Sequence, residues 1–249
     1  MSVDSHLCFS FHTVVCALLL SSACLATAQS VYAPGHKNVL AARDSQDLGA
    51  LKREAEKAEH QAELEPVPTA LFTAALSRSL EAEVALELGK KPDAATAAEA
   101  GIRLARLLVE QQPDVAENHR LLGTLCGQII PANLVSAFQY ARCAREEVET
   151  SLRLDPKSPW AHLSRGVGNY YLPEAFGGGV SKAIEDFRRA TTLRADFPDA
   201  WLWLGIALRK NGDNTGARAA LAKARELAPA RVWIQAQLAK LPGSSPSSP

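Results

Sequence analysis

The sequence lacks the patterns by which nucleic-acid-binding proteins and enzymes are usually recognised. Its 27 basic residues are matched by 27 acidic ones, so no excess of positive charge points to a nucleic-acid partner. It contains no Cys/His spacing typical of a metal site, no phosphate-binding loop and no nucleophile elbow. No nucleophile, base and orienting group can be placed together from their positions in the chain. We therefore expect a protein that is not an enzyme and that holds neither a metal nor another cofactor.

Long apolar runs are also absent beyond the first 28 residues. An apolar stretch at 13–20 is followed by Ala26-Thr27-Ala28, and these small residues have the spacing that a signal peptidase reads. We predict a signal peptide at 1–28, cleavage before Gln29 and a periplasmic or secreted protein. No Lys or Arg precedes the apolar stretch, which keeps an alternative open. In that alternative an uncleaved leader anchors the chain in a membrane, and the leader is the only part that contacts it.

Cysteine is sparse outside the leader, where only Cys126 and Cys143 remain of the five in the sequence. An oxidising compartment permits a disulfide between them. A bridge needs Cα atoms about 4.4 to 6.8 Å apart, and the stretch between these two residues makes their separation unpredictable. We expect two buried thiols, with the disulfide as the alternative.

What the sequence does contain is a spaced set of large and small apolar residues in its last third. Such offsets line the facing sides of two antiparallel helices, and a closing Pro ends the second helix. The residues are Trp201, Leu204, Gly205, Leu208, Gly212, Ala217, Leu221, Ala224 and Pro229. The set resembles the signature of the tetratricopeptide repeat (TPR), which has aromatic residues where this chain has Leu208 and Leu221. The resemblance implies an all-α fold, a right-handed α-solenoid of about three helical hairpins with N- and C-terminal capping helices.

The same offsets recur upstream. Gly123 and Gly166 take the place of Gly205, and His119 and His162 stand where the last unit has its Trp. We expect both histidines to be packing residues rather than ligands. The spacings between the glycines are 43 and 39 residues, against a period of about 34. Both surpluses are predicted to lie between the two helices of a hairpin.

These units give the predicted domain organisation. A flexible segment at 29–43 precedes a helical domain at 44–242, whose N-terminal capping helix carries an apolar stripe from Leu48 to Ala62. The hairpins are predicted at about 69–113, 116–156, 159–195 and 198–229, followed by a C-terminal capping helix at 230–241. The Ser/Pro-rich tail at 243–249 is expected to be disordered.

In TPR proteins the first helix of each hairpin lines a ligand groove, and the family's groove positions can be carried over to this chain. The resemblance implies a groove that is aromatic and apolar in its middle and basic at its sides. The implied partner-binding residues are Arg120, Trp160, Leu163, Val167, Tyr170, Tyr171, Leu202, Ile206 and Arg209, with Thr124, Gln128, Asp199 and Lys210 at further groove positions. The alternative is that a capping helix or the N-terminal segment fills the groove itself.

The two surplus segments, at 128–138 and 172–179, are apolar for loops. Ile129 and Ile130 belong to the first and Phe176 to the second. We expect the two loops to lie side by side and to form either an accessory core or a partner surface. Arg165 occupies the position of Leu204 in the last unit, and a cation on a packed face requires a partner. Glu174 in the second loop is the partner that we expect.

The function that these features favour is that of an exported, non-catalytic TPR scaffold which binds a protein or peptide partner in its groove. The alternative is a periplasmic binding component for an apolar small molecule, since residues 172–178 also resemble a segment of the TPR proteins of tripartite transporters. A closed cavity beside Phe176 would favour that alternative. The sequence identifies neither the partner nor the oligomeric state.

Overall fold

The computed structural model of this protein describes residues 36–132 and 134–243. The signal peptide predicted at 1–28, the residues up to 35 and the tail from 244 lie outside the described residues. Contacts divide the chain after Lys37, and the unit that begins at Asn38 is described below. Its described residues form α-helices and 3₁₀ turns but no strand.

The described residues contain eleven α-helices that pack mainly against their neighbours in the chain. Their bounds are α1 Lys37–Asp44, α2 Leu48–Leu64, α3 Pro68–Glu87, α4 Lys91–Gln111, α5 Ala116–Ile129, α6 Leu134–Leu154, α7 Pro159–Tyr171, α8 Val180–Leu193, α9 Pro198–Lys210, α10 Asn214–Leu227 and α11 Val232–Leu238. Hairpins form from α3 and α4, α5 and α6, α7 and α8, and α9 and α10, and each packs on the next. The predicted all-α solenoid is confirmed, and the described residues form four hairpins.

Local sequence signals explain where the hairpin helices begin. Pro68, Pro159 and Pro198 occupy the first turn of α3, α7 and α9, where the fixed φ of proline suits a helix and its missing N–H is not needed. The Ser158 hydroxyl accepts a hydrogen bond from the backbone N–H of Ala161 at 3.1 Å and so caps α7. The first helices of three of the four hairpins described above thus begin at a proline.

One hydrogen bond recurs at the ring that opens each of three successive hairpins. A ring nitrogen donates to the backbone carbonyl six residues earlier in the chain. The pairs are His119 Nε2 to Pro113 at 2.7 Å, His162 Nε2 to Pro156 at 3.2 Å and Trp201 Nε1 to Ala195 at 2.8 Å. A carbonyl can only accept, so Nε2 is the donor in both histidines. This shared bond gives the physical reason why His and Trp occupy equivalent positions.

Gly166 and Gly168 lie on α7 but in different surroundings. A Cβ on Gly166 would lie 2.5 Å from Cε1 of Phe187 on α8, whereas one on Gly168 would meet nothing within 4 Å. We expect Gly166→Ala to lower the free energy of unfolding by about 1–3 kcal/mol, because α7 and α8 must separate. Gly168→Ala should raise it by about 0.5–1 kcal/mol, since alanine favours the helix. Urea denaturation measures both effects, and equal signs would contradict the close approach of α7 to α8.

The first surplus segment is not a loop, which corrects the prediction. The helix α5 runs to Ile129, a 3₁₀ turn covers Ile130–Ala132, and α6 begins at Leu134, ten residues before Ala144. The equivalent helices α8 and α10 begin only three residues before the matching alanines, Ala183 and Ala217. The surplus therefore adds roughly two turns to α6. The 3₁₀ turn packs on α4, α5 and α6.

Cys126 and Cys143 form a disulfide between α5 and α6, with their Cα atoms 6.0 Å apart. The expectation of two free thiols is therefore wrong. Because the surplus residues extend α6, the backbones of α5 and α6 stay in close register, and a Cβ on Gly123 would lie 3.2 Å from the carbonyl of Ala144. Cys126 is nearly one turn beyond that glycine and Cys143 directly precedes that alanine, so both face the same gap.

Part of the segment predicted to be flexible at 29–43 is helical. The helix α1 spans Lys37–Asp44, and Val39 and Ala42 on it are buried. A helix of eight residues is not stable alone in water, so its neighbours in the fold must hold it.

Candidate functional site

Arg231 connects the two ends of the helical unit. It directly precedes α11, and its side chain is 0 % exposed. Its guanidinium donates to Oε1 of Glu83 at 2.8 Å and to Glu87, both on α3, and to the carbonyl of Arg43 at 2.9 Å. A single side chain thus ties α3, α1 and the start of α11 together across more than 140 residues of sequence.

A second arginine, Arg43 on α1, extends this connection to α9. Its Nη1 donates to Oδ2 of Asp199 at 2.9 Å, and both side chains are almost fully buried. In the turn after α1, the Gln46 side chain donates to Glu87 at 2.8 Å. We call the six ionisable residues of this network the clasp: Arg43, Asp44, Glu83, Glu87, Asp199 and Arg231.

The clasp holds four carboxylates for two guanidiniums, which leaves an excess of negative charge in a buried place. Burial, and then repulsion from the Glu83 carboxylate, raise the pKa of Glu87 to about 8 despite the hydrogen bonds from Arg231 and Gln46. Near neutral pH Glu87 therefore keeps its proton, which reduces the excess charge of the clasp.

The clasp occupies one end of the predicted groove. Asp199, a predicted groove position, is covered by Arg43 of α1. Leu202 and Ile206 lie in the core at 1 % and 4 % exposure. The sequence left open that the N-terminal segment fills the groove, and at Asp199 the structure places that segment there.

Other predicted groove positions hold the first helices of the hairpins together. Thr124 on α5 and Ser164 on α7 share a hydrogen bond of 2.9 Å, and Gln128 on α5 bonds to the side chain and carbonyl of Ser79 on α3. Arg120 is buried and pairs with Glu117 on its own helix. These contacts stabilise the packing between hairpins.

An aromatic cluster lies where α7, α9 and α11 meet. Trp203 is at its centre, with ring centroids 5.7 Å from Tyr170, 6.2 Å from Tyr171 and 5.5 Å from Trp233. Tyr170 is half-buried, whereas Tyr171 is 66 % exposed. We use the name aromatic cluster for these four residues. The sequence prediction included both tyrosines but missed both tryptophans, although the high content of bulky rings in α9 and α11 was a usable signal.

Lys210 lies against one side of the aromatic cluster. Nζ of Lys210 lies 4.2 Å from the ring centroid of Tyr170 and donates to the Tyr170 carbonyl at 3.1 Å. A cation over a ring is attracted by the negative face of the π-system. Val167 and Leu163, one and two turns before Tyr170, are partly buried against the same core, and Arg209 is partly buried beside Lys210. This end of the first-helix face thus offers the exposed Tyr171 next to Tyr170, whose ring carries the positive charge of Lys210.

Trp160 lies at the other end of α7, away from this cluster. Its ring is 4.0 Å from that of Phe197, which is buried, and the guanidinium of Arg194 lies 5.8 Å from each ring. Trp160 therefore packs between successive hairpins.

Arg165 does not pair with Glu174, which corrects the sequence-based expectation. Its Nη2 donates to Oδ1 of Asp186 on α8 at 2.7 Å, and Asn169 donates to Oδ2 of the same carboxylate at 2.9 Å. Burial opposes ionisation of Asp186, but the hydrogen bonds from His162, Arg165 and Asn169 outweigh it and lower its pKa. The reason is geometric, because Arg165 faces the second helix of its own hairpin rather than the loop.

The second surplus segment exposes its apolar residue. Phe176 lies at the end of a 3₁₀ turn, Glu174–Phe176, and is 74 % exposed. A side chain so accessible does not line a closed cavity, so the feature that would favour an apolar small-molecule ligand is not found there. In the first segment Ile129 is fully buried and Ile130 partly so, while Phe138 on the extension of α6 is 88 % exposed.

Two further findings concern residues 36–132 and 134–243. No group of three or more His, Cys, Asp or Glu side chains is arranged to hold a metal ion there. None of the helices in this part of the chain combines the length and apolar character needed to cross a membrane.

A family model and one solved structure with a TM-score of 0.55 agree with this architecture. Residues 176–231 match the family model described as tetratricopeptide repeat. The crystal structure of TTC0263, a thermophilic TPR protein in Thermus thermophilus, is 22% identical with a TM-score of 0.55, over 83% of this chain and 99% of that one. MamA is 16% identical with a TM-score of 0.39, over 74% of this chain and 92% of its own. YrrB, described as a TPR protein with an unusual peptide-binding site, is 16% identical with a TM-score of 0.38, over 76% and 84%. A search of curated proteins found no match.

Proposed function

We propose that this protein is an exported, non-catalytic scaffold that binds a protein or peptide partner. The support is its fold, since residues 176–231 match the tetratricopeptide-repeat model and TTC0263, a TPR protein, shares the architecture. The repeat fold itself suggests a protein-interaction scaffold. The observation that carries the more specific proposal is the exposed Tyr171, held beside Tyr170 and Trp203 on the first-helix face. Aromatic side chains of this kind dominate binding energies at protein interfaces.

The surroundings of Tyr171 define the chemistry of the partner. Tyr170 and Trp203 both contact the ring of Tyr171 in edge arrangements, so this side chain loses little freedom on binding. Lys210 adds a positive charge at the rim. A peptide that sets an apolar side chain on the tyrosines and a carboxylate near Lys210 fits this surface.

Replacing Tyr171 with serine is expected to weaken partner binding by at least about tenfold, because a central aromatic anchor is lost. The side chain is 66 % exposed, so the melting temperature should change little. The measurement is co-purification of the partner with the mature chain, followed by titration of the identified partner against wild type and variant. The double variant Tyr170→Ser/Tyr171→Ser should abolish capture.

Leu64→Ser is the matched control, because Leu64 is equally exposed at 68 % but lies at the end of α2, far along the chain. It should bind like wild type. Equal binding by wild type and Tyr171→Ser would contradict the proposed surface, and equal losses in both variants would show a nonspecific apolar effect instead.

Export is the second part of the proposal, and the disulfide supports it. Disulfides persist in oxidising compartments and are rare in the cytosol, and Cys126 and Cys143 are bridged. Intact-mass analysis of the protein from its native cell should find a chain that begins at Gln29 and gains mass on reduction. A chain that retains Met1, or that reacts with thiol reagents when unfolded without reductant, would contradict export with cleavage.

A further inference from the structure

The helix α1 is placed like a bound ligand rather than like a structural repeat. It belongs to none of the four hairpins among the described residues. It buries Val39 and Ala42, and Arg43 extends from it to Asp199. The carbonyl of Arg43 accepts a hydrogen bond from Arg231. Side chains from two separate parts of the fold, Asp199 on α9 and Arg231 before α11, thus hold one short helix.

The turn that follows α1 carries backbone strain. Gln46 has a φ of 56° and is the only non-glycine residue with a positive φ among the described residues. A long polar residue adopts this conformation only when its surroundings impose it. Here the Gln46 side chain donates to Glu87. The positive φ also lets the backbone N–H of Asp47 donate to the carbonyl of Ala42 at 2.9 Å, which ends α1 and separates it from α2.

The surface beneath α1 is acidic. Without α1 and its Asp44, the clasp retains the carboxyl groups of Glu83, Glu87 and Asp199 against Arg231 alone, and Glu83 and Asp199 outnumber that arginine even with Glu87 protonated. A site with this charge selects a basic partner, and α1 itself shows the arrangement that fits. Two small apolar residues three positions apart precede an arginine, as in Val39, Ala42 and Arg43.

We propose that α1 occupies in cis a binding site for a short helix of a partner protein, which presents small apolar residues and an arginine to Asp199. This proposal rests on the proposed scaffold function and adds its regulation. A tethered segment has a high effective concentration, so α1 excludes competitors until a partner helix with the same chemistry displaces it. The aromatic cluster stays accessible while α1 is bound.

The test uses α1 as its own probe, in the form of a fluorescein-labelled peptide of residues 37–47. The receptor is the full mature chain with Val39→Asp and Arg43→Ala, which removes the anchors of α1 but leaves α3, α9 and Arg231 unchanged. We expect the peptide to bind this variant and to bind wild type at least tenfold more weakly. Adding Asp199→Asn to the variant should weaken binding about tenfold, and so should Arg43→Ala in the peptide.

Hydrogen exchange on wild type provides an independent measurement. The amides of α1 should exchange well before those of α9 if α1 leaves without unfolding of the repeats. Exchange of α1 and α9 at equal rates would overturn the proposal, as would loss of helical circular dichroism in the Val39→Asp/Arg43→Ala variant, because α1 would then be an integral part of the core. A folded variant that does not bind the peptide would also overturn it.

These results are distinguishable from failure of the scaffold function. The peptide test involves none of the aromatic cluster, so loss of capture in Tyr171→Ser tests the scaffold surface alone. Capture that depends on Tyr171, together with a peptide that does not bind, would leave the scaffold function standing and remove only the role of α1.

Discussion

Replacing Arg231 with methionine is expected to lower the free energy of unfolding by about 3–5 kcal/mol, the usual cost of removing one partner from a buried ion pair. The side chain is fully buried, and its guanidinium holds Glu83, Glu87 and the carbonyl of Arg43. Without it the carboxyl groups on α3 lose their counter-charge, and α1 loses a hydrogen bond. For a unit of this size the melting temperature should fall by roughly 6–20 °C. Urea denaturation followed by circular dichroism measures the loss.

Arg142→Met is the matched control for this prediction. Arg142 also forms an ion pair, with Glu146 one turn later on α6, but its side chain is 80 % exposed. Exposed pairs contribute little, so the free energy of unfolding should stay within about 0.5 kcal/mol of wild type. Equal effects of the two variants would contradict the structural role of Arg231. Adding Glu83→Gln to Arg231→Met should recover part of the loss, because the Glu83 carboxylate is then no longer left without its counter-charge.

The repeat architecture was predictable because its signals are local. Gly123, Gly166 and Gly205 each mark a point where two consecutive helices meet, and the space for a Cβ is missing at all three. The equivalence of His119 and His162 with Trp201 was also readable from their offsets. The hydrogen bond that explains it runs only six residues back along the chain. Periodicity and proline positions carry this information without any tertiary contact.

The conformation of the surplus segments could not be predicted from local sequence patterns. Comparing glycine spacings located the extra residues but not their conformation, and in the first hairpin they extend α6 instead of forming a loop. The disulfide could not be predicted without this information, because the extension of α6 is what keeps Cys126 and Cys143 close together. The partner of Arg165 was missed for a related reason, since Asp186 lies on the next helix at a distance set by hairpin packing. Glu174 is closer to Arg165 in sequence, but the side chain of Arg165 is directed toward α8.

The clasp was not predictable at all from periodic patterns. Arg231 was predicted only as part of the capping helix at 230–241, yet it contacts α3 at a separation of 144 residues. Nothing in a repeat signature specifies that the ends of the array meet. Groove positions copied from the family therefore included Asp199, which this chain uses to bind its own α1. The aromatic end of the same face was predicted in part, because Tyr170 and Tyr171 fall at family positions and Trp203 does not.

Raising the pH from about 5 to about 9 is expected to destabilise the protein through Glu87. Burial and the neighbouring Glu83 raise the pKa of Glu87 to about 8, whereas a glutamate in an unfolded chain has a pKa of about 4.3. Between these two values the folded protein keeps a proton that the unfolded chain has lost. The free energy of unfolding therefore falls as the pH rises through this window, by up to about 1.4 kcal/mol per pH unit, and levels off above the pKa of the folded state.

The measurement is urea denaturation of wild type and Glu87→Gln at a series of pH values. The amide resembles the protonated carboxyl group and does not titrate, so the variant should lose this part of the pH dependence and become the more stable protein at high pH. Parallel profiles would show that Glu87 binds no extra proton on folding. A wild-type profile that rises with pH relative to the variant would mean that the folded protein favours the ionised carboxylate, and that the two guanidiniums of the clasp outweigh its burial.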